Sequence, residues 1–254
     1  MARPSSKLRV LSYNIHQGLT VYRRQITLSA LREAIESLRV DVVLLQEVAG
    51  VGAASRAKTG REIVTPFQLE ALADGMWPYS AYGRNSIFSG GFHGNAILSR
   101  FPIVRYQNTD ISLVKGLVRR GVLHAQVEIS GKPIHFVSTH LGLLEVERAR
   151  QARLLVDYVK GATKTKEPVI IGGDFNDWRE RLSPKIRRGL KMEEAFQKLE
   201  GKHARSFPAR FPVLRLDRIY YRGLRLRDAV RVKGRPWQLL SDHLPLIAEF
   251  TLSW

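Results

Sequence analysis

The stretch that decides the fold is Pro168-Val-Ile-Ile-Gly-Gly-Asp-Phe-Asn-Asp177. Its three consecutive β-branched residues predict a strand covered on both faces, and the two glycines allow a bend or the close approach of a ligand. Asp174 and Asn176 lie two positions apart, so they point to the same side of an extended chain. The stretch predicts a polar pair at the end of a buried strand, although a strand that ends in an ordinary Asx turn has the same composition.

The start of the chain has a similar arrangement. A strand is predicted over Leu8 to Ile15, a helix over Ser29 to Arg39, and a second strand over Asp41 to Val48. A strand, a helix and a strand in succession make the two strands parallel and bring their C-terminal ends to one edge of the sheet. We therefore expect Asn14 and Glu47, near those ends, to be neighbours.

The middle of the chain repeats this unit. A strand predicted over Pro133 to His140 is followed by an amphipathic helix over Leu144 to Lys160, which leads into the strand at Val169. This connection places His140 beside Asp174 and Asn176 at one sheet edge. Two such units predict an α/β fold in which two sheets pack face to face with helices outside.

Other segments carry further candidates. Gly50 to Thr65 is predicted to be a surface loop and Pro66 to Met76 a helix. Tyr79 to Asn95 is predicted to be a long glycine-rich segment that ends in the short strand Ala96 to Ser99, and such segments are often functional. Four residues are candidates for contacting a substrate phosphate: Arg84, Asn95, Arg120 and Trp178.

The last third of the chain contains a carboxylate in an apolar pattern. Asp217 lies in the predicted strand Leu214 to Tyr221, and a buried carboxylate needs a partner. The partner could be Arg215, Arg218 or a histidine. A histidine is available in the turn before the last strand, where Asp242 and His243 follow one another.

The net charge favours an anionic partner. The 254 residues include 41 Lys plus Arg against 23 Asp plus Glu, a net charge of +18. This surplus indicates either nucleic acid or an acidic membrane surface. Basic residues and aromatics alternate between Arg179 and Arg235, which suits a phosphate backbone with bases that stack, although we expect Phe207 and Phe211 to lie in the core.

Composition also bounds the class of protein. The absence of cysteine excludes disulfides and thiolate zinc ligands. Residues 1–7 lack the apolar core of a signal peptide and no apolar run has the length of a membrane span. We expect a cytoplasmic, monomeric protein with one domain over residues 1–254, of which residues 1–7 form a flexible tail, and no protein partner is implied.

The candidate side chains are rich in oxygen. They are Asn14, Glu47, His140, Asp174, Asn176, Asp217, Asp242 and His243. Carboxylate and amide oxygens suit a hard divalent ion such as Mg²⁺, and no His-x-x-x-His zinc pattern occurs. Such a site with imidazoles nearby suits attack of water on a phosphate ester.

Six motifs in order resemble those of the endonuclease/exonuclease/phosphatase superfamily. They are Ser12-Tyr-Asn14, Leu45-Gln-Glu47, Ser138-Thr-His140-Leu141, Gly172-Gly-Asp174-Phe-Asn176, Leu216-Asp-Arg-Ile219 and Ser241-Asp-His-Leu-Pro245. The segments Ser206 to Tyr220 and His93 to Arg100 further resemble a bacterial, YbhP-like subgroup. The resemblance implies a four-layer α/β sandwich, DNase I-like, and a hydrolase that depends on Mg²⁺ or Mn²⁺.

The resemblance also implies roles for single residues. Glu47 would bind the metal with Asn14 and Asp242 close to it, while Asp174 would activate or orient the water. Asn176 would hold a phosphate oxygen, and His140 would act on the leaving group or the phosphate. His243, oriented by Asp217, would stabilise the phosphoryl charge.

Two departures from the family's abasic-site endonucleases narrow the interpretation. Those enzymes usually carry an acidic residue where this chain has His16, and they lack a histidine at the place of His140. The chain is more similar to the branch of pancreatic-type DNases, deadenylases and neutral sphingomyelinases. Three hypotheses follow: a nuclease acting on DNA or RNA, a phosphodiesterase or phosphatase acting on a phospholipid or inositol phosphate at a membrane surface, and a non-catalytic binding module.

Overall fold

The computed structural model describes residues 7–19, 28–51, 68–88, 91–113 and 118–252. Its strands form two six-stranded sheets. The first contains β1 Lys7–Asn14, β2 Val42–Val51, β3 Tyr79–Phe88, β4 Gly91–Ser99, β11 Arg225–Arg231 and β12 Leu246–Thr251. The second contains β5 Ile103–Asp110, β6 Gly121–Ile129, β7 Lys132–His140, β8 Val169–Asp174, β9 Glu193–Glu194 and β10 Asp217–Arg222.

Six α-helices occur in the same ranges. They are α1 Leu28–Ser37, α2 Gln68–Ala73, α3 Glu145–Ala162, α4 Ser183–Leu190, α5 Ala195–Glu200 and α6 Trp237–Leu240. A short 3-10 turn covers His16–Gly18. In this part of the chain, none of the helices has the length and apolar character needed to cross a bilayer.

Strand order confirms both predicted strand–helix–strand units. The first sheet runs β11-β12-β1-β2-β4-β3 and the second runs β5-β6-β7-β8-β10-β9. The parallel pairs are β1 with β2 and β7 with β8, and the latter pair aligns His140 with Asp174. Strand β10 is antiparallel to β8, so its first residue, Asp217, lies opposite Asp174. The C-terminal ends of β1, β7 and β8 and the start of β10 therefore carry the predicted site residues.

The core has three apolar layers, which makes the molecule a four-layer α/β sandwich. Alternate residues of one strand face opposite sides, so Ile170 packs between the two sheets while Ile171 packs under the helices. The outer layer of the first sheet is covered by α1 and α2, and that of the second by α3 and α4. The predicted sandwich of two mixed sheets flanked by helices is confirmed.

Some elements differ from the sequence-based expectation. Tyr79 to Asn95 forms largely a β-hairpin of β3 and β4 rather than a loop. Its glycines allow the two backbones to approach closely, since a Cβ on Gly94 would lie 1.9 Å from the carbonyl oxygen of Gly83. Strands β5 and β11 were not predicted. Phe211 is 70% exposed, so its expected place in the core is wrong.

Part of the prediction falls outside the described residues. The affected residues are 52–65 of the predicted surface loop, 66–67 at the start of the predicted helix, and 1–6 of the expected N-terminal tail. Lys7, which the tail was expected to include, instead begins β1, and its Nζ lies 3.0 Å from Glu249 Oε1.

Candidate active site

Asp174 lies at the centre of the cluster of strand-end residues. Its Oδ2 accepts a hydrogen bond from Asn14 Nδ2 at 3.1 Å, and lies 3.3 Å from His140 Nε2 and 3.6 Å from His243 Nε2. Its Oδ1 accepts from the backbone N–H of Asn176 at 3.0 Å. Burial raises the pKa of Asp174 to about 6, against the lowering effect of His243. The carboxyl group is thus ionised near neutral pH and close to titration.

His243 and Asp217 form a buried hydrogen-bonded pair. The distance from Nδ1 to Asp217 Oδ2 is 2.8 Å, which assigns the proton to Nδ1 and leaves Nε2 directed toward Asp174. Burial lowers the pKa of His243, but Asp217 and Asp174 more than offset this effect and raise the pKa to about 10. The imidazole is therefore a cation at neutral pH.

The partner of Asp217 is the histidine rather than either arginine. Arg218 is buried and its guanidinium donates to backbone carbonyls, including that of Asp217 at 3.0 Å. Arg215 Nη1 donates to Glu180 Oε1 at 2.7 Å. Ser241 anchors the loop that carries His243, because its Oγ donates to the Asn14 carbonyl at 2.7 Å and accepts from the His243 N–H at 3.1 Å.

His140 has the opposite electrostatic environment from His243. Burial lowers the pKa of His140 well below its ordinary value, and the positive charges of Arg120 and His243 add to that effect. Its Nε2 lies 3.2 Å from Asn176 Nδ2, which also donates to the Leu141 carbonyl at 2.9 Å. The site therefore holds one charged and one neutral imidazole around the same aspartate.

Glu47 adopts a rare backbone conformation. Its φ is 58°, and it lies at a bulge where the pairing of β2 with β4 shifts between Leu45 and Val48. A non-glycine residue in the left-handed region costs about 1–3 kcal/mol and often marks a functional position. The bulge brings Glu47 Oε1 to 3.4 Å from Asn14 Nδ2 and 3.8 Å from His140 Nδ1. The expected contact between Asn14 and Glu47 is present.

Further oxygen-bearing side chains lie beside Glu47. Asp242 Oδ1 lies 3.3 Å from His16 Nδ1, and the His16 N–H donates to Asn14 Oδ1 at 3.0 Å. These contacts link Glu47, Asn14 and Asp242 into a partly open rim of carboxylate and amide groups, the donor types that Mg²⁺ and Mn²⁺ prefer.

A second group of ligand atoms comes from Asp174, Asp217 and His243, all within 4.8 Å of one another. Within this group, His243 Nδ1 and Asp217 Oδ2 already share a hydrogen bond.

The four phosphate-contact candidates have different environments. Arg120 is buried within the electrostatic reach of Asp174 and Glu47, and burial lowers its pKa. Asn95 Nδ2 donates to the Gly121 carbonyl at 3.0 Å, which connects the two sheets. Trp178 is 42% exposed and its ring centroid lies 4.2 Å from the Arg148 guanidinium carbon. Arg84 is exposed on β3 and lies over the Phe92 ring, so only Arg120 among the four is brought to the carboxylates.

His93 is a site residue to which the sequence assigned no role. Pairing of β4 with β2 aligns it with Ala49, two positions from Glu47. Burial lowers the pKa of His93, while the charge of Glu47 opposes this effect. The only sequence signal was its place in a glycine-rich segment, and the strand pairing that locates it could not be read from that composition.

Comparison with known proteins identifies the family. The sequence model of the Endonuclease/Exonuclease/phosphatase family matches residues 11–243. The chain belongs to this family. It is 41% identical over 246 residues to an uncharacterized protein, YbhP of Escherichia coli K12, covering 96% of each chain. The expected family and YbhP-like subgroup are confirmed.

Solved structures support the same fold. An endonuclease/exonuclease/phosphatase from Beutenbergia cavernae superposes with a TM-score of 0.79 at 18% identity, covering 99% of this chain and 72% of the other. A humanized D. rerio TDP2 superposes with a TM-score of 0.69 at 22% identity, covering 98% of this chain and all of the other. Members of the family generally depend on a divalent metal, in agreement with the oxygen-rich rim.

Proposed function

We propose that this protein is a Mg²⁺- or Mn²⁺-dependent phosphodiester hydrolase that acts on nucleic acid, either DNA or RNA. The observation that carries the proposal is the position of Asp174 between an imidazolium, His243, and a neutral imidazole, His140. One carboxylate that can take a proton, beside one cation that can hold a phosphoryl oxygen, is the minimum needed for attack of water on phosphorus.

Glu47 would hold the metal, with Asn14 and Asp242 beside it. When bound, a divalent ion neutralises negative charge on the phosphoryl oxygens and helps to orient the ester. Glu47 is held in place by the bulge in β2 and by the amide of Asn14. The same amide contacts Asp174, so one side chain positions both the metal ligand and the base.

Asp174 orients the attacking water and accepts its proton. A pKa near 6 keeps the carboxylate ionised at neutral pH and leaves it more basic than an ordinary aspartate. His243 Nε2–H then donates to a phosphoryl oxygen, and Asp217 keeps that imidazole charged and in one orientation. Arg120 adds a second positive charge, while Asn176 and His140 face the phosphate or the leaving oxygen.

Nucleic acid is the substrate that the charge favours. The net charge of +18 provides strong attraction to a polyanion, and the basic residues from Arg179 to Arg235 follow the catalytic aspartate along the chain. Trp178, exposed and two residues from Asn176, offers a ring on which a base could stack.

A second candidate is a phosphodiesterase or phosphatase acting on a phospholipid or inositol phosphate. Exposed apolar side chains near the site favour it: Leu143 and Leu144 follow His140, and Phe211 and Val213 follow Phe207, whose ring lies 5.0 Å from that of His243. Apolar residues beside a basic surface suit shallow insertion into an anionic membrane.

The test is a paired turnover assay with Mg²⁺ or Mn²⁺ on supercoiled and single-stranded DNA, on RNA, and on vesicles of mixed anionic phospholipids. The variants are Asp174→Ala, His243→Ala and the matched control Asp157→Ala, an exposed aspartate on α3. We expect metal-dependent cleavage of nucleic acid that falls steeply with salt, is abolished by EDTA, and is lost in the first two variants only.

Each other outcome contradicts the nuclease proposal. Release of a phosphorylated head group from vesicles without cleavage of nucleic acid would favour the second candidate. A folded, metal-loaded protein that turns over none of these substrates would favour the non-catalytic binding module.

A further inference from the structure

A second concave site lies outside the catalytic cluster and has a strongly basic lining. It is a cavity of about 490 Å³ between α5, β11 and the loop that follows α5, and we call it the basic cavity. Its floor is apolar and includes Phe196 and Ala229. Its charged lining residues are Lys202, Arg205, Arg215, Arg231 and Lys233, with Glu200 as the one carboxylate.

The basic side chains are held in place but retain free hydrogen-bonding capacity. Arg215 is fixed by Glu180, and Arg231 Nη1 donates to the Arg205 carbonyl at 2.6 Å. The Nε atoms of Arg215 and Arg231 are buried and have no hydrogen-bond partner among the residues the structure describes. Several other arginines of the molecule also have an unpartnered buried Nε, and here two of them line one cavity.

The lining has a surplus of positive charge. Its five basic residues stand against one carboxylate of the lining, Glu200, while Arg215 is also paired with Glu180. Burial lowers the pKa of Arg231, the charge of Glu200 opposes this effect, and Arg205 adds a smaller lowering effect. The remaining surplus attracts an anion. Guanidinium groups match the paired oxygens of a phosphate, and lysine ammonium groups contribute charge at the rim.

The basic cavity is connected to the catalytic pair through two short backbone segments. Arg205 precedes Ser206, whose Oγ accepts from the Asp217 N–H at 3.3 Å. Arg215 lies two residues before Asp217, the hydrogen-bond partner of His243. The backbone segments that carry Arg205 and Arg215 therefore also support the catalytic pair.

We propose that the basic cavity binds a phosphate group of the nucleic-acid strand away from the scissile bond. This inference rests on the proposed nuclease function and adds a second contact to it. The site takes one strand phosphate with its negative charge, against the guanidinium groups of Arg215 and Arg231, while Lys202 and Lys233 attract the strand at the rim.

The experiment measures binding of a fluorescein-labelled oligothymidylate by anisotropy as a function of KCl concentration, in EDTA so that the strand stays intact. The test variant is Lys202→Ala/Lys233→Ala, which changes two exposed side chains. The control is Lys160→Ala/Lys166→Ala, which removes the same amount of charge from two exposed side chains. These two lysines lie near the start of β8, whereas Asp174 lies at the end of that strand.

We expect the slope of log affinity against log salt to fall in magnitude in the test variant, by about 0.7 for each strand phosphate that loses its contact. We expect the control to keep the slope of the wild type. Equal slopes for the two variants would overturn the inference while leaving the nuclease proposal intact. Absence of any strand binding by the wild type would overturn the inference, and absence of nucleic-acid cleavage in the turnover assay would separately overturn the nuclease proposal.

A second arm distinguishes a strand phosphate from a free one. Inorganic phosphate is added to the wild type and to the test variant, and the melting temperature is followed. A rise that occurs in the wild type only, together with unchanged strand slopes, would assign the basic cavity to a small phosphorylated molecule and overturn the strand assignment.

Discussion

Replacing Asp217 by Asn isolates the charge that keeps His243 protonated. The substitution changes almost no volume, and an amide oxygen can still accept the hydrogen bond from Nδ1 that now measures 2.8 Å. Burial lowers the pKa of His243, and Asp217 has the largest of the three carboxylate effects that raise it to about 10. Without this charge we expect the pKa to fall toward the ordinary value of about 6.5.

The size of the effect follows from the buried geometry. Asp174 remains 3.6 Å from His243 Nε2 and preserves part of the elevation, so we expect a decrease of roughly two to three pKa units. At 1.36 kcal/mol for each unit, this corresponds to about 3 to 4 kcal/mol of coupling between the imidazolium and Asp217. That coupling agrees with the loss of about 3–5 kcal/mol on breaking a buried ion pair.

The sign of the pH dependence is fixed by the direction of the pKa change. A folded-state pKa raised above the unfolded value contributes stability that is complete below about pH 6.5 and is lost as the pH rises toward 10. The Asp217→Asn variant should therefore lose most stability, relative to wild type, at the acidic end of this window. The difference should shrink as the pH approaches 10.

The assay is an NMR titration of the His243 ring in metal-free protein, with urea unfolding at several pH values between about 6 and 10. Asp157→Asn, an exposed aspartate on α3, is the control and should change neither measurement. If the pKa of His243 in Asp217→Asn lies within one unit of the wild-type value, Asp217 is not the group that keeps His243 protonated, and the reasoning is refuted.

Three further predictions use other parts of the site and its support. Asp174→Asn should abolish turnover without lowering the melting temperature at pH 8, because a raised carboxyl pKa means that the ionised group, present above about pH 6, is less favourable in the folded state than in the unfolded state; a large fall in melting temperature would contradict this. Glu47→Gln should raise the Mn²⁺ concentration needed for half-maximal turnover, and an unchanged metal requirement would move the ion elsewhere. Gly172→Ala places a Cβ 2.6 Å from Leu44 Cδ1 between the sheets and should reduce the free energy of unfolding by about 1–3 kcal/mol. The control Gly161→Ala has open space around its new Cβ on α3, so its free energy of unfolding should stay the same or rise by up to about 1 kcal/mol. Equal urea midpoints for the two variants would refute the packing argument.

Buried strands and their order along the chain could be predicted from the sequence. Strands β2 and β8 contain continuous apolar runs, and each is preceded by an amphipathic helix, so connectivity requires parallel pairing with the strand before it. The ends of parallel strands meet at one edge, so the neighbours of Asp174 followed from local pattern and chain topology alone. Asn14, Glu47 and His140 were placed in this way before any side-chain contact was considered.

Elements without such a pattern were missed for identifiable reasons. Strand β5 is exposed along most of its length and β11 is rich in arginine, so neither shows the alternation of a half-buried strand. The hairpin of β3 and β4 contains glycines that look like loop residues in the sequence but serve close backbone contact. Phe211 lies at the surface although its residue type favours the core.

The sequence by itself determined the sandwich, the family motifs and the set of polar residues at strand ends, because these depend on periodicity and on short connections. The residue pattern left Arg215, Arg218 or a histidine as the partner of Asp217, the family resemblance implied His243, and the tertiary structure decided for His243. Only the tertiary structure placed Arg120 and His93 within electrostatic reach of Glu47. It also brought five basic side chains to one cavity. These features depend on how the two sheets and their loops pack against one another, and such packing joins residues that no local pattern relates.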